Sequence, residues 1–227
     1  MYPVFIHPWS ISETEAFNLQ QELAKKVITE DQFADIHYVA GVDVAYCSQS
    51  DQLIAAVVIL HAETLEVVES VVTQDTVQFP YIPGLFSFRE LPSIVKAFNL
   101  IKTPPQLVVC DGQGIAHPRR FGLASHLGIL FDIPTIGCGK TKLIGEFEEP
   151  FIQRGNSSSL TDNEEVIGSV LRTQDNIKPI YVSVGHRISL STACEWILKL
   201  SPTYRLPETT RQADQLVRIT LLKLQEK

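Results

Sequence analysis

Apolar and polar positions along the chain repeat with two different periods. Behind Ser12-Glu13-Thr14-Glu15, the pattern of a capping box, Ala16, Leu19, Leu23 and Val27 recur at helical spacing. An amphipathic helix is predicted over 13–30, for packing and without chemistry. Tyr38–Tyr46 alternates with period two, which makes it a strand and places Gly41, Asp43 and Ala45 on one face. Strand-like runs at Leu53–Leu60 and Leu65–Val72 follow with a short polar connection, so the first three strands read as an antiparallel meander. Leu91, Ile94, Val95, Phe98 and Ile101 mark the inner face of a helix in which Pro92 is tolerable only in the first turn. Leu107–Cys110 is a buried-type strand, Arg119–Phe131 reads as a helix and Ile133–Gly137 as a strand, together a parallel crossover unit. Val166–Leu171 is predicted as an exposed hairpin arm, and Ile180–Val184 as another buried strand. A helix follows Ser189, and a last one runs from about Pro207 with Ala213, Val217, Thr220 and Leu224 as its apolar stripe.

Strands interleaved with helices in 227 residues predict a single α/β domain, 1–227, and a 44% hydrophobic content suffices for a sizeable core. The net charge of −7 and pI near 5.4 argue against a protein that coats nucleic acid, though not against an enzyme that grips it locally. His117, Arg119, Arg120, His126, Lys140 and Lys142 share one short window, whereas acids gather at 146–149 and 162–165. A local basic groove is therefore compatible with an acidic whole. Cys47, Cys110, Cys138 and Cys194 show neither CxxC nor zinc-type spacing and read as small apolar residues of a reducing compartment. No apolar run reaches the length of a membrane span and no leader-like segment opens the chain. A cytoplasmic monomer with no membrane partner is expected.

The candidate chemistry is densest in Asp111-Gly112-Gln113-Gly114-Ile115-Ala116-His117-Pro118-Arg119-Arg120. Asp111 stands at the tip of a buried strand, glycines permit a tight turn, and His117, Arg119 and Arg120 add a cationic rim, a mixture that suits a metal and a phosphate. Alone, Asp-Gly is a turn and the Arg pair a solvated surface. Asp43 lies among small residues in mid-strand, where either an edge facing water or a neighbouring cation must accommodate its charge. Pro80-Tyr81-Ile82-Pro83-Gly84 is a stiff loop that either presents Tyr81 and Ile82 to a partner or folds them onto the core. Glu90 lies four residues before Ile94 and so shares the face turned toward the sheet. Gly139-Lys140-Thr141 resembles the end of a phosphate-binding P-loop, but Pro134 stands where that motif needs glycine, so the P-loop is rejected and Lys140 is left to meet a phosphate directly. Asp214, spaced with Arg211 and Arg218, is either a fourth acid of a site or a surface ion pair.

Five blocks in order, PYIPGLFSFRE at 80–90, DGQGIAHPRRFGLASHLGIL at 111–130, PTIGCGKTKL at 134–143, GHRIS at 185–189 and YRLPETTRQAD at 204–214, resemble endonuclease V. The likeness spans residues 12–222. It implies a ribonuclease H-like fold, a mixed central sheet of three antiparallel strands and then parallel ones flanked by helices. It also implies cleavage near deaminated purines such as deoxyinosine, at the second phosphodiester on the 3′ side, leaving a 3′-hydroxyl and a 5′-phosphate.

Residue by residue, Asp43, Glu90 and Asp111 match the family's metal-binding acids and Asp214 a fourth position. Tyr81, Ile82, Pro83 and Gly84 match a wedge that enters the duplex where the lesion base leaves it. Lys140 matches a basic residue near the scissile phosphate, and His117 one at the lesion pocket, where Gly84 and Gly112 would let the base approach backbone. Arg119, Arg120, Lys140 and Lys142 are the expected phosphate contacts. The run from Gly137 to Lys142 is less bulky and less basic than the family pattern, which bears on the fine shape of the pocket. Acids without a Cys or His cluster select a hard cation, Mg²⁺ with Mn²⁺ as the alternative. The expected partner is deoxyinosine DNA, single- or double-stranded, with inosine RNA as an alternative substrate. A non-cleaving inosine binder and a ribonuclease H-like nuclease without a wedge are the competing classes.

Overall fold

The computed structural model describes residues 1–48 and 50–225. Among them eight strands join in one sheet: β1 (Tyr38–Tyr46), β2 (Gln52–His61), β3 (Val67–Thr76), β4 (Leu107–Cys110), β5 (Thr135–Gly139), β6 (Ser157–Asp162), β7 (Glu165–Leu171) and β8 (Ile180–His186). Their spatial order is β3-β2-β1-β4-β5-β8-β7-β6. β1, β2 and β3 form the antiparallel meander, and β4 and β5 continue in parallel from β1. This is the ribonuclease H-like order that the sequence blocks imply.

Helices α1 (Glu13–Ala24), α2 (Phe86–Leu100), α3 (Leu123–Phe131), α4 (Leu190–Lys199) and α5 (Glu208–Gln225) flank the sheet. On one face Val42, Val57 and Val108 pack with Leu91, Ile94 and Phe98 of α2 and Leu127 of α3. On the other, Val109, Ile136 and Val182 pack with Ala193 and Ile197 of α4 and Ala213 of α5. Burial on both sides explains the unbroken apolar runs of β2 and β4. The alternation read for β1 decides where α5 lies. A Cβ on Gly41 would overlap the Thr209 carbonyl, so the small residues beside Asp43 admit the start of α5 against the strand. No helix among the described residues is long and apolar enough to cross a membrane.

Several expected boundaries move, each for a nonlocal reason. The first helix keeps its capping box, with Ser12 N–H donating to Glu15 Oε2 at 2.8 Å, but ends at Ala24 and not at 30. The backbone of Ile28 is captured by the end of β8: its N–H donates to His186 Nδ1 at 3.2 Å and its carbonyl accepts from Arg187 at 2.7 Å. The helix expected from Arg119 starts at Leu123, because Arg120 sits at φ 55°, which ends any helical path. Helix α2 begins at Phe86, so Pro92 lies in its second turn and not its first. The 166–171 segment is no exposed arm. Ile167, Val170 and Leu171 are buried because β7 pairs with β8 and extends the sheet. Reached through that hairpin and not through a helical crossover, β8 returns antiparallel to β5.

Candidate active site

The register of the parallel strands assembles the acids. Val42 pairs with Cys110, so the next rung sets Asp43 beside Asp111, on strands about 4.8 Å apart, and alternation turns both toward α5. From α5, Asp214 comes to the same point, 3.8 Å from Lys140 Nζ, and also pairs with Arg218 at 2.9 Å. Lys140 directly follows β5, and its ammonium is ion-paired with Asp111. Glu90 arrives from α2 on the opposite face; it is buried, and its Oε1 accepts from the Tyr46 hydroxyl at 3.0 Å. All five groups thus gather where β4 and β5 end beside the middle of β1.

The cost of gathering them is visible in their protonation. Burial, then the neighbouring charge of Asp111, raises the pKa of Asp43 to about 7. Burial together with the charges of Asp43 and Asp111 raises Glu90 well above the usual carboxylate range, against the opposing Tyr46 hydrogen bond. For Lys140, burial disfavours the ammonium, but the hydrogen bond and charge of Asp111 outweigh it and the pKa rises. Among the described residues no three Asp, Glu, His or Cys side chains stand ready to share a metal ion as they lie. Lys140 supplies the positive charge at Asp111 and Asp214.

A pH dependence follows from Asp43. Its folded pKa exceeds its unfolded value, so between about pH 4 and 7 the folded chain binds the extra proton and gains stability from it. In chelator, the denaturation midpoint of Asp43→Asn is expected to gain on that of wild type as pH rises through that window, since the amide removes the one group that favours the folded state at its lower end. A difference between the two midpoints that stays constant across the window would contradict this placement of Asp43.

Beside the acids lies a cavity of about 280 Å³ lined by Tyr81, Ile82, Pro83, Gly84, Gly112, Gln113, His117 and Lys142. It is smaller than the roughly 300–1,000 Å³ of drug-sized pockets, a size that suits one base. Gly112 and Gln113 follow Asp111, and Lys142 follows Lys140, so the loops after β4 and β5 serve cavity and acids together. Tyr81 is 72% exposed, which excludes the core reading for it, whereas Ile82 is half-buried against the cluster of Phe79, Leu85 and Phe88.

The Tyr81–Gly84 loop is held from behind at one atom. The Gly84 carbonyl accepts from Arg119 Nη2 at 2.7 Å, Gln20 Nε2 at 2.9 Å and His117 Nε2 at 3.1 Å. Gly84 has φ 79°, and a Cβ there would run into the Arg119 guanidinium, so glycine is required twice over. His117 Nδ1 accepts from Arg119 N–H at 3.2 Å, which leaves the proton on Nε2. Burial, then the charge of Arg119, lowers this imidazole to about 4. It lines the cavity as a neutral wall with both nitrogens taken.

Two of the expected phosphate contacts have protein partners in this geometry. Arg119 also donates to Gln20 Oε1 at 2.5 Å and stacks over Phe17, so its guanidinium ties the loop to α1. Arg120 is ion-paired with Asp162 at 2.9 Å and Glu165 at 2.7 Å, fastening the β6–β7 hairpin. Lys140 is paired with Asp111 and lies near Asp214, whereas exposed Lys142 has no carboxylate partner among the described residues.

Sequence reasoning missed Gln20 and Arg205. Gln20 is 1% exposed on the buried stripe between Ala16 and Leu23, and a polar residue on such a stripe was the available signal. Arg205 donates to the carbonyls of Lys140 at 2.9 Å, Pro179 at 2.8 Å and Lys178 at 2.9 Å, fixing the backbone of Lys140. Nothing local in the sequence announces that role.

A mixed sheet of this order, with carboxylates on neighbouring central strands and on helices from both faces, defines a nuclease of the ribonuclease H-like class. Comparison with known proteins narrows it. The family model of endonuclease V matches residues 21–215. Endonuclease V of Rippkaea orientalis is 53% identical over 202 residues, 89% of this chain and 88% of that protein. The crystal structure of endonuclease V from Streptomyces avermitilis superposes with a TM-score of 0.91 at 46% identity, covering 96% of each chain. Endonuclease V of Ciona intestinalis, solved with a 23mer DNA containing an inosine followed by a ribo-adenosine, gives a TM-score of 0.85 at 29% identity over 94% of this chain and 100% of that one. The chain belongs to the endonuclease V family.

Proposed function

We propose that this chain repairs DNA as a metal-dependent endodeoxyribonuclease: it draws deoxyinosine into the cavity behind Tyr81–Gly84 and hydrolyses the second phosphodiester on the 3′ side at the Asp43–Asp111 rung. The products would be a 3′-hydroxyl and a 5′-phosphate. The observation that carries this reading is the shared construction of cavity and acids from the loops after β4 and β5, which sets a one-base pocket next to a hydrolytic centre. Inosine DNA bound to the Ciona relative supports the choice of lesion. One chain supplies every element, so a monomer suffices.

The residues present fit Mg²⁺. The donors are all carboxylate oxygens, and two of them are pushed toward protonation by burial and mutual repulsion that a divalent cation would relieve. Asp43 and Asp111 would hold the metal, with Glu90 and Asp214 completing the site. When bound, Mg²⁺ or Mn²⁺ neutralises charge on the phosphate and makes the attacking water more acidic. Lys140 would exchange its pairing with Asp111 for the scissile phosphate, and Arg205 would keep its backbone in place as it does so. Tyr81 would fill the gap left by the extruded base, whose weak pairing makes hypoxanthine cheaper to extrude than a normal base. His117, Arg119 and Gln20 hold the wedge loop against that load.

The test is cleavage of matched DNA and RNA strands carrying one inosine, by chelated protein before and after adding Mg²⁺. Cutting of the DNA strand only after Mg²⁺ is expected. Metal-independent cutting sinks the cation reading, and cutting of RNA alone sinks the DNA assignment.

A further inference from the structure

A second groove borders the acidic site on the side of Lys140. It has a volume of about 540 Å³, and Lys142, Lys178, Arg205, Tyr181 and Glu149 contribute to its walls. In a chain of net charge −7 its charge balance is unusual. None of Lys142, Lys178 and Arg205 is ion-paired with a carboxylate among the described residues, and Arg205 uses its donors on backbone carbonyls that leave its charge uncompensated. The one acid in the wall, Glu149, is neutralised by Arg172 at 2.7 Å. Tyr181 packs edge-on against Phe147, with ring centroids 5.6 Å apart, and the Lys142 ammonium lies 5.7 Å from the centre of that same Phe147 ring. Cations interleaved with aromatic rings are the composition of a single-strand nucleic-acid track.

The position gives the groove a direction. Thr141 and Lys142 line both the groove and the base cavity, whereas Lys140, paired with Asp111, borders only the groove. A strand that leaves its lesion base in the cavity and passes its next phosphodiesters over the acids therefore continues into the groove. We infer that the Lys142–Lys178–Arg205 groove binds the phosphate backbone of the cleaved strand downstream of the cut, on its 3′ side. This rests on the inosine-nuclease reading above. Lys178 is its cleanest reporter, being exposed and distant in sequence from every acid of the site.

The test combines a substitution with a truncation of the substrate. Wild type and Lys178→Glu are compared on two inosine DNA strands, one with a long arm 3′ of the cut and one ending just past it. On the long strand the variant is expected to lose roughly three- to tenfold in kcat/KM at moderate salt, and its salt slope to fall by about one. On the short strand wild type should already have lost that advantage, and the two proteins should converge. Equal loss on both strands overturns the groove, as does a loss that follows truncation of the 5′ arm in place of the 3′ arm. Wild type that cuts neither strand overturns the inosine-nuclease reading and the groove with it.

Discussion

Asp43→Asn and Asp111→Asn are each expected to lower cleavage of an inosine strand in Mg²⁺ by about a thousandfold or more, the scale on which preorganised charge at a reacting phosphate acts. Both carboxylates stand on one rung of the sheet, and hard-cation affinity follows the count of charged oxygen ligands. The same substitutions should not unfold the chain. Asp43 is held near the limit of ionisation by burial and by Asp111, so replacing its carboxylate with an amide of equal shape removes repulsion, and the metal-free variant should denature at a higher temperature than wild type at neutral pH. Loss of activity with a raised midpoint is the signature of a charge cluster built for a cation. Loss of activity with a lowered midpoint would make Asp43 a structural residue.

The second large effect concerns Tyr81. Tyr81→Ala is expected to slow cleavage of duplex inosine DNA by about tenfold to a hundredfold, the worth of roughly 1–3 kcal/mol of stacking. Single-stranded substrate should be nearly unaffected, since it has little stack to restore once the base is out. With its ring 72% exposed, Tyr81 contributes little to the core, and the denaturation midpoint should stay within about a degree or two of wild type. An equal loss on both substrates would remove Tyr81 from the wedge. His117→Ala should behave differently, because it deletes one of three donors to the Gly84 carbonyl and loosens the whole loop, lowering activity on single and double strands alike.

Much of this arrangement was legible in the sequence because the site acids break apolar patterns. Asp43 interrupts a strand whose bounds, Tyr38–Tyr46, follow from alternation alone, and Asp111 ends a run buried on both faces. Glu90 shares a helix face with Ile94, and that face is buried. The Ser189 cap of α4 is equally local, its Oγ accepting from Thr192 N–H at 3.3 Å. What stayed hidden depends on partners far along the chain. α1 stops where it does because β8 takes the backbone of Ile28, and Arg119 looks like a free surface cation until Gln20, Phe17 and Gly84 meet it. Arg120 looks free until the β6–β7 hairpin brings Asp162 and Glu165 to it. A charge is easy to find in a sequence, but its occupation is set by tertiary contacts.

The most direct measurement maps the cut itself. Two strands identical except for deoxyinosine or deoxyadenosine at one position are incubated in Mg²⁺ with wild type and with Asp111→Asn, and the products are sized to single-nucleotide resolution. Wild type is expected to nick only the inosine strand, at the second phosphodiester on the 3′ side, and Asp111→Asn to nick neither. Equal nicking of the adenosine strand by wild type, or the same nick made by Asp111→Asn, would contradict a lesion-reading centre built on the Asp43–Asp111 rung.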